Sequence, residues 1–191
     1  DDSGPMRQTT LRGITGAARS GPASPTRAAA DPHDMQRFAS KQALDHDRAV
    51  RELKDGRKAG CWSWWIFPTP PFIRNGERVG SPINQVYELA DDAEGLAYLL
   101  FRDGQLRSNY LAVLDAMSGS LEEGVEPRRL LGIDVPRAVA SVRYFSHLAT
   151  LGDGDEALRD GCERALGLLV PDDSADAGGG GGRQQKRAHP G

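Results

Sequence analysis

Two stretches of the sequence hold the residues with which chemistry could be done. In the first, Arg57 and Lys58 precede the segment Cys61-Trp62-Ser63-Trp64-Trp65-Ile66-Phe67-Pro68, which contains all three tryptophans of the chain. In the second, Asp134, Arg137, Ser141 and Arg143 follow Gly132 at the start of a helical pattern. Helix N-termini favour anions, arginine pairs with phosphate through two donors in a fixed fork, and an indole face accepts a flat ring. If the two stretches meet in space, Lys58, Trp62, Trp64, Asp134, Arg137 and Ser141 line a site for a small anionic or nucleotide-like ligand. The same residues also admit a structural explanation: the tryptophans are core, Arg57 and Lys58 are solvated, and Asp134 only caps a helix. The deciding observation is whether Lys58, Trp62 and Arg137 face one common cavity.

No sequence motif names a reaction. There is no G-x-x-x-x-G-K-[ST], no G-x-G-x-x-G, no H-E-x-x-H and no G-x-S-x-G. Asp153-Gly154-Asp155 lacks the later ligands of a calcium loop and reads as a turn at a helix start. His33, His46 and His147 have no partners at ligand spacing, so neither a metal nor a cofactor is expected. Cys61 and Cys162 form no C-x-x-C pair and read as small buried hydrophobes in a reducing compartment. Cys61 is the one nucleophile in a suggestive position, and no histidine close in sequence serves it as a base.

These residues must be positioned by a helical domain. All the aromatic residues fall between Phe38 and Phe145, and aromatics contribute most to a core. Residues 1–32 read as a disordered linker or a transit-like segment, since Met6 to Ala30 holds four arginines and no acid. Residues 170–191, with the glycine run Gly178 to Gly182 and a basic end, read as a disordered tail. That leaves 33–169 as a single, mainly α, irregular helical domain with a short extended Trp-rich segment. The net charge of −3, from 24 basic and 27 acidic side chains, gives no basic field for nucleic acid. No apolar run nears the roughly 20 residues of a membrane span. An intracellular protein is expected, cytoplasmic or organellar.

Within the domain, Asp31-Pro32-His33-Asp34 reads as a helix start. Met35, Phe38, Ala39 and Gln42 follow, and a second segment from near Asp45 ends at Gly56. Residues Trp62 to Phe67 read as a short strand or extended core segment, with Trp62, Trp64 and Ile66 on one side, either paired around Val86–Leu89 or buried with side-chain and water partners. Pro70 to Pro82 is a loop with an Asn75-Gly76 turn. A capping box at Asp91–Glu94 opens one helix, and the stripe Leu106, Tyr110, Val113, Leu114, Met117 marks another. Pro127 to Leu131 forms a helical turn closed by Gly132, a helix capped by Asp134 follows, and a last one runs from about Asp155 to Leu168.

The order Phe38, Gln42, Leu53, Gly56-Arg57-Lys58, Trp62-x-Trp64-x-Ile66-Phe67-Pro68, Tyr87-x-Leu89, Tyr98-Leu99, Leu106-Arg107, Leu131-Gly132-x-Asp134, Arg137, Ser141, Phe145 resembles the bacterial domain-of-unknown-function family 1810 over residues 33–150. The resemblance implies a small, mainly helical domain and carries no established activity. It also marks departures. Cys61 stands where the family has His, Thr69 where it has Gln, and Asp134 and Arg137 where it has Lys after an acidic pair. If that histidine is catalytic in the family, this chain is an altered version. Two functions follow from this reading: a small-molecule site near the tryptophans, or a non-enzymatic interaction or scaffolding module. The sequence fixes no oligomeric state.

Overall fold

In the computed structural model, which describes residues 31–170, the Asp31 carboxylate accepts the N–H groups of Met35 and Gln36 at 2.8 and 2.7 Å. Helix α1 follows as one unbroken element, Gln36–Lys54. The two segments read from the sequence are thus joined. No glycine or proline interrupts them, and one buried stripe of Phe38, Ala39, Gln42, Ala49 and Leu53 runs through both. Gly56, at φ +73, ends the helix as expected; a Cβ there would meet Val125 at 3.2 Å. The expectations for residues 1–30 and 171–191 lie outside the described residues.

The tryptophan segment is a turn of helix, α2 (Ser63–Ile66), and the expected strand is corrected. With no long sheet edge beside it, the segment satisfies its own backbone. Ile66 N–H donates to Trp62 O at 3.2 Å and Phe67 N–H to Ser63 O at 2.8 Å. Helical spacing then buries Trp62, Trp65, Ile66 and Phe67 and leaves Trp64 half-buried. The expected partner does pair, but just after the segment: Leu89 N–H donates to Thr69 O at 3.0 Å, beside a parallel bridge between Thr69 and Glu88.

The loop between them is more ordered than the sequence indicates. Strands β1 (Phe72–Arg74) and β2 (Glu77–Val79) form an antiparallel hairpin with Phe72 opposite Val79 and Arg74 opposite Glu77. Asn75 and Gly76 both have positive φ, 53° and 80°, the two-residue turn that such hairpins prefer. Helix α3 (Pro82–Val86) follows, with proline at its first turn.

Helix α4 (Asp92–Glu122) is capped by Asp91, whose side chain accepts Glu94 N–H at 2.9 Å. It is broken at Phe101–Gly104, where Arg102, Asp103 and Gly104 take φ of 47°, 56° and 85°. The break separates the two helices read from the sequence. Helix α5 (Pro127–Leu131), a 3₁₀ turn (Gly132–Asp134), α6 (Val135–Leu148) and α7 (Glu156–Leu169) complete the order. Asp155 caps α7 by accepting Leu158 N–H at 3.1 Å.

The fold is mainly α. Helix α4 packs on α1 and on α7, and α7 packs on α6. Phe145 sits at the centre, fully buried, stacked on Tyr110 at 4.1 Å between ring centroids and edge-on to Tyr98 at 5.3 Å. Gln42 ties three elements together. Its Nε2 donates to Trp65 O and to the Tyr98 hydroxyl, both at 2.8 Å, and its Oε1 accepts from Asn109 Nδ2 at 2.9 Å. Among the described residues, no helix is long and apolar enough to cross a membrane.

Gly95 lets the first half of α4 approach α6 closely. A Cβ on it would lie 2.5 Å from the Tyr144 hydroxyl and 2.6 Å from Leu148 Cδ1. Tyr144 OH is not free to swing away without losing its bond to Asp91 O at 2.7 Å. Gly95→Ala is therefore expected to destabilise the domain by about 1–2 kcal/mol, overpacking outweighing the gain in helix propensity. Thermal unfolding checks the sign: a raised midpoint would refute the close approach.

Candidate functional site

The two chemistry-bearing stretches do meet. The chain leaves α1 through Gly56, and Lys58 N–H donates to Leu130 O at 2.7 Å, pinning the segment against α5. Lys58 Nζ then reaches Asp134 Oδ2 at 2.8 Å, donates to Gly60 O at 2.7 Å, and lies 5.0 Å from the Trp62 ring centroid. Ser63 Oγ donates to the same Asp134 oxygen at 2.7 Å. Asp134 therefore does not cap α6; no side-chain cap bond exists there. Its carboxylate is drawn toward α2 because a buried hydroxyl and a largely buried ammonium need an acceptor.

Trp62 belongs to the core. It is fully buried, and its Nε1 donates to Glu52 Oε2 at 2.7 Å. The same oxygen accepts the N–H groups of Ala59 and Gly60, both at 2.8 Å. Burial pushes the Glu52 carboxyl up, but the Gly60, Ala59 and Trp62 donors and the Arg48 charge outweigh it, holding the carboxyl below its ordinary pKa. Glu52 has no local motif that could have pointed to it, since its three donors lie seven to ten residues further along the chain.

Arg137 turns away from Lys58. It hydrogen-bonds Asn84 Oδ1 of α3, and its guanidinium carbon lies 5.7 Å from the Phe72 ring centroid of β1. Burial draws its pKa below that of an ordinary arginine, against the opposing charge of Asp134. Among the described residues, no carboxylate lies within salt-bridge distance of it. Glu88 is buried, only 4 % exposed, and its ion-pair partner is Arg78 of the hairpin. Phe72 carries no sequence signal, because the hairpin that places it reads as a loop, and nothing in the sequence marks Asn84 or points to a role for Glu88 beyond the stretch Val86–Leu89.

The remaining candidates separate from the cluster. Ser141 is fully buried and shares a hydrogen bond of 3.0 Å with the Tyr110 hydroxyl, inside the core. Trp64 is half-buried and lies 6.1 Å from Trp65. Arg57 and Arg143 are exposed. Cys162 is buried, and burial together with Asp155 and Glu163 pushes its thiol up to about 12. Cys61, expected to be buried, is exposed instead: the chain turns at Gly60 to bury the Trp62 ring, leaving its neighbour outside. No group of three or more His, Cys, Asp or Glu among the described residues stands ready to hold a metal ion.

Comparison with known proteins supports the fold. A family model described as a protein of unknown function, DUF1810, matches residues 32–154. No curated protein sequence matches the chain. Among solved structures, the crystal structure of the conserved hypothetical protein Rv1873 from Mycobacterium tuberculosis, at 1.38 Å, is similar. The identity is 24 %, the match covers 72 % of this chain and 86 % of that one, and the TM-score is 0.57. At this identity the likeness is one of fold.

Proposed function

Because the chain belongs to the DUF1810 family, whose description assigns no activity, we propose a function from its geometry: Arg137 receives the anionic group of a small molecule. One observation carries this reading. Arg137 is half-buried, yet its partners are a neutral amide and a phenyl ring. A guanidinium taken out of water without a counter-charge is costly, and an anion with a flat neighbour offsets that cost. Asp134, three residues before Arg137 and its natural counter-ion, is already held by Lys58 and Ser63. Lys58 is thus a positioning residue that leaves Arg137 with surplus charge. Phe72 supplies the ring face for a planar, nucleotide-like body, with Trp64 the half-buried indole of the neighbouring segment. Trp62 and Ser141 act as framework. An intracellular, reducing setting belongs to this reading and is supported by the two free thiols.

The test is titration with inorganic phosphate, adenosine monophosphate and uncharged adenosine, read by tryptophan emission and thermal unfolding. The phosphate-bearing compounds raise the unfolding midpoint and adenosine does not; a ligand at 100 times its Kd adds about 2.7 kcal/mol. Arg137→Gln abolishes the response, and Lys58→Met weakens it by releasing Asp134 to Arg137. Ser141→Ala lowers stability but leaves the ligand response intact. If none of these compounds shifts emission or midpoint, the anion site fails and the alternative, a non-enzymatic interaction module, takes its place.

A further inference from the structure

A cavity lined by none of the residues around Arg137 lies elsewhere in the fold. A cleft of about 660 Å³ opens between the first half of α4, the end of α6 and the start of α7. Its volume falls within the roughly 300–1,000 Å³ of small-molecule sites. Leu96, Leu99, Leu100 and Leu148 line its apolar part, and Leu100, in the last turn before the α4 break, is 75 % exposed. A leucine left this open beside other leucines provides a surface that a hydrocarbon ligand would cover.

The polar end of the cleft is acidic. Asp153, Asp155 and Glu156 stand there with Arg107 as the one base of the lining. Arg107 is committed: Nε and Nη2 donate to the two oxygens of Asp155 at 2.5 and 2.6 Å. The same carboxylate takes Leu158 N–H, so the pair is neutral in itself. What remains is Asp153 and Glu156. The nearest cation to Glu156 is Arg159, at 3.8 Å on the same helix. An anionic head group here would face two carboxylates, and a cationic one would complete them.

We infer that this cleft binds a small molecule with an apolar body and a single cationic head, a hydrophobic amine. Its hydrocarbon lies along the leucines and its ammonium meets Asp153 and Glu156. The cleft shares no residue with the Arg137 cluster, so either site stands or falls alone.

The experiment compares octylamine, octanol and octanoate, cationic, neutral and anionic at neutral pH, by calorimetric titration of the full chain. Octylamine is expected to bind most tightly and octanoate at least tenfold more weakly. Asp153→Lys reverses the order of amine and acid. Leu100→Ser weakens octylamine and octanol about tenfold through lost apolar contact. Both positions are exposed, so these variants keep the fold, which circular dichroism verifies. Absence of binding, equal affinity for the three head groups, or affinities unmoved by both substitutions would overturn the inference.

Discussion

Phe145→Ala removes about 3–5 kcal/mol of stability, the largest loss expected from any single substitution described here. The ring is fully buried and is the hub of an aromatic cluster, stacked on Tyr110 and edge-on to Tyr98 and Tyr144. Truncation loses the transfer energy of the ring and leaves a cavity whose walls come from α4 and α6, which cannot both relax into it. A domain of this size has about 5–15 kcal/mol in all, so the variant is expected to be partly unfolded at physiological temperature. Phe145→Leu retains most of the volume and costs less. Urea denaturation of the two variants measures the difference. Equal and small losses would mean that the cluster is not the organising core.

Glu52→Ala is expected to cost roughly 2–4 kcal/mol, because it strands three donors that share one carboxylate oxygen. The Ala59 N–H is near solvent and finds water; the indole N–H of Trp62 is buried with its ring and has no such recourse. The loss also depends on pH. The folded-state pKa of Glu52 is lowered, so its contribution is fully present above the ordinary carboxylate value. It fades as pH falls through that value toward the lowered one. The gap between wild type and Glu52→Ala, measured by denaturation, therefore narrows as pH falls through and below the ordinary carboxylate range. A gap that is constant or widens on acidification would show that the carboxylate is not the group that matters.

Elements with a periodic signal were legible in the sequence. The stripe from Leu106 to Met117 and the Asp91 cap both appear where their spacing places them. The fold class followed from such features, and the family from the resemblance of the residue order, the tryptophan segment above all. What misled was the tryptophan segment. Bulky aromatic residues favour strands as a class, but a strand needs a partner, and Trp62 to Phe67 is held instead by Gln42 and Glu52 of α1 and by Asp134 of the 3₁₀ turn. Local propensity lost to tertiary burial. The candidate site was half visible for a related reason. Lys58 and Asp134 were legible as members of one site but not as an ion pair, whereas Phe72 and Asn84 reach Arg137 only through a short hairpin and a one-turn helix whose residues alternate too weakly to announce them.

The break in α4 looks like a natural place for the domain to come apart, and the side chain of Gln42 argues otherwise. Tyr98 precedes the break and Asn109 follows it, yet both bond to that one amide on α1. Opening either half withdraws a partner from a buried polar group that the other half still needs. The two segments are therefore joined in one cooperative unfolding unit rather than two. The left-handed residues at 102–104 change the direction of the helix without creating a boundary at which the domain can open in parts.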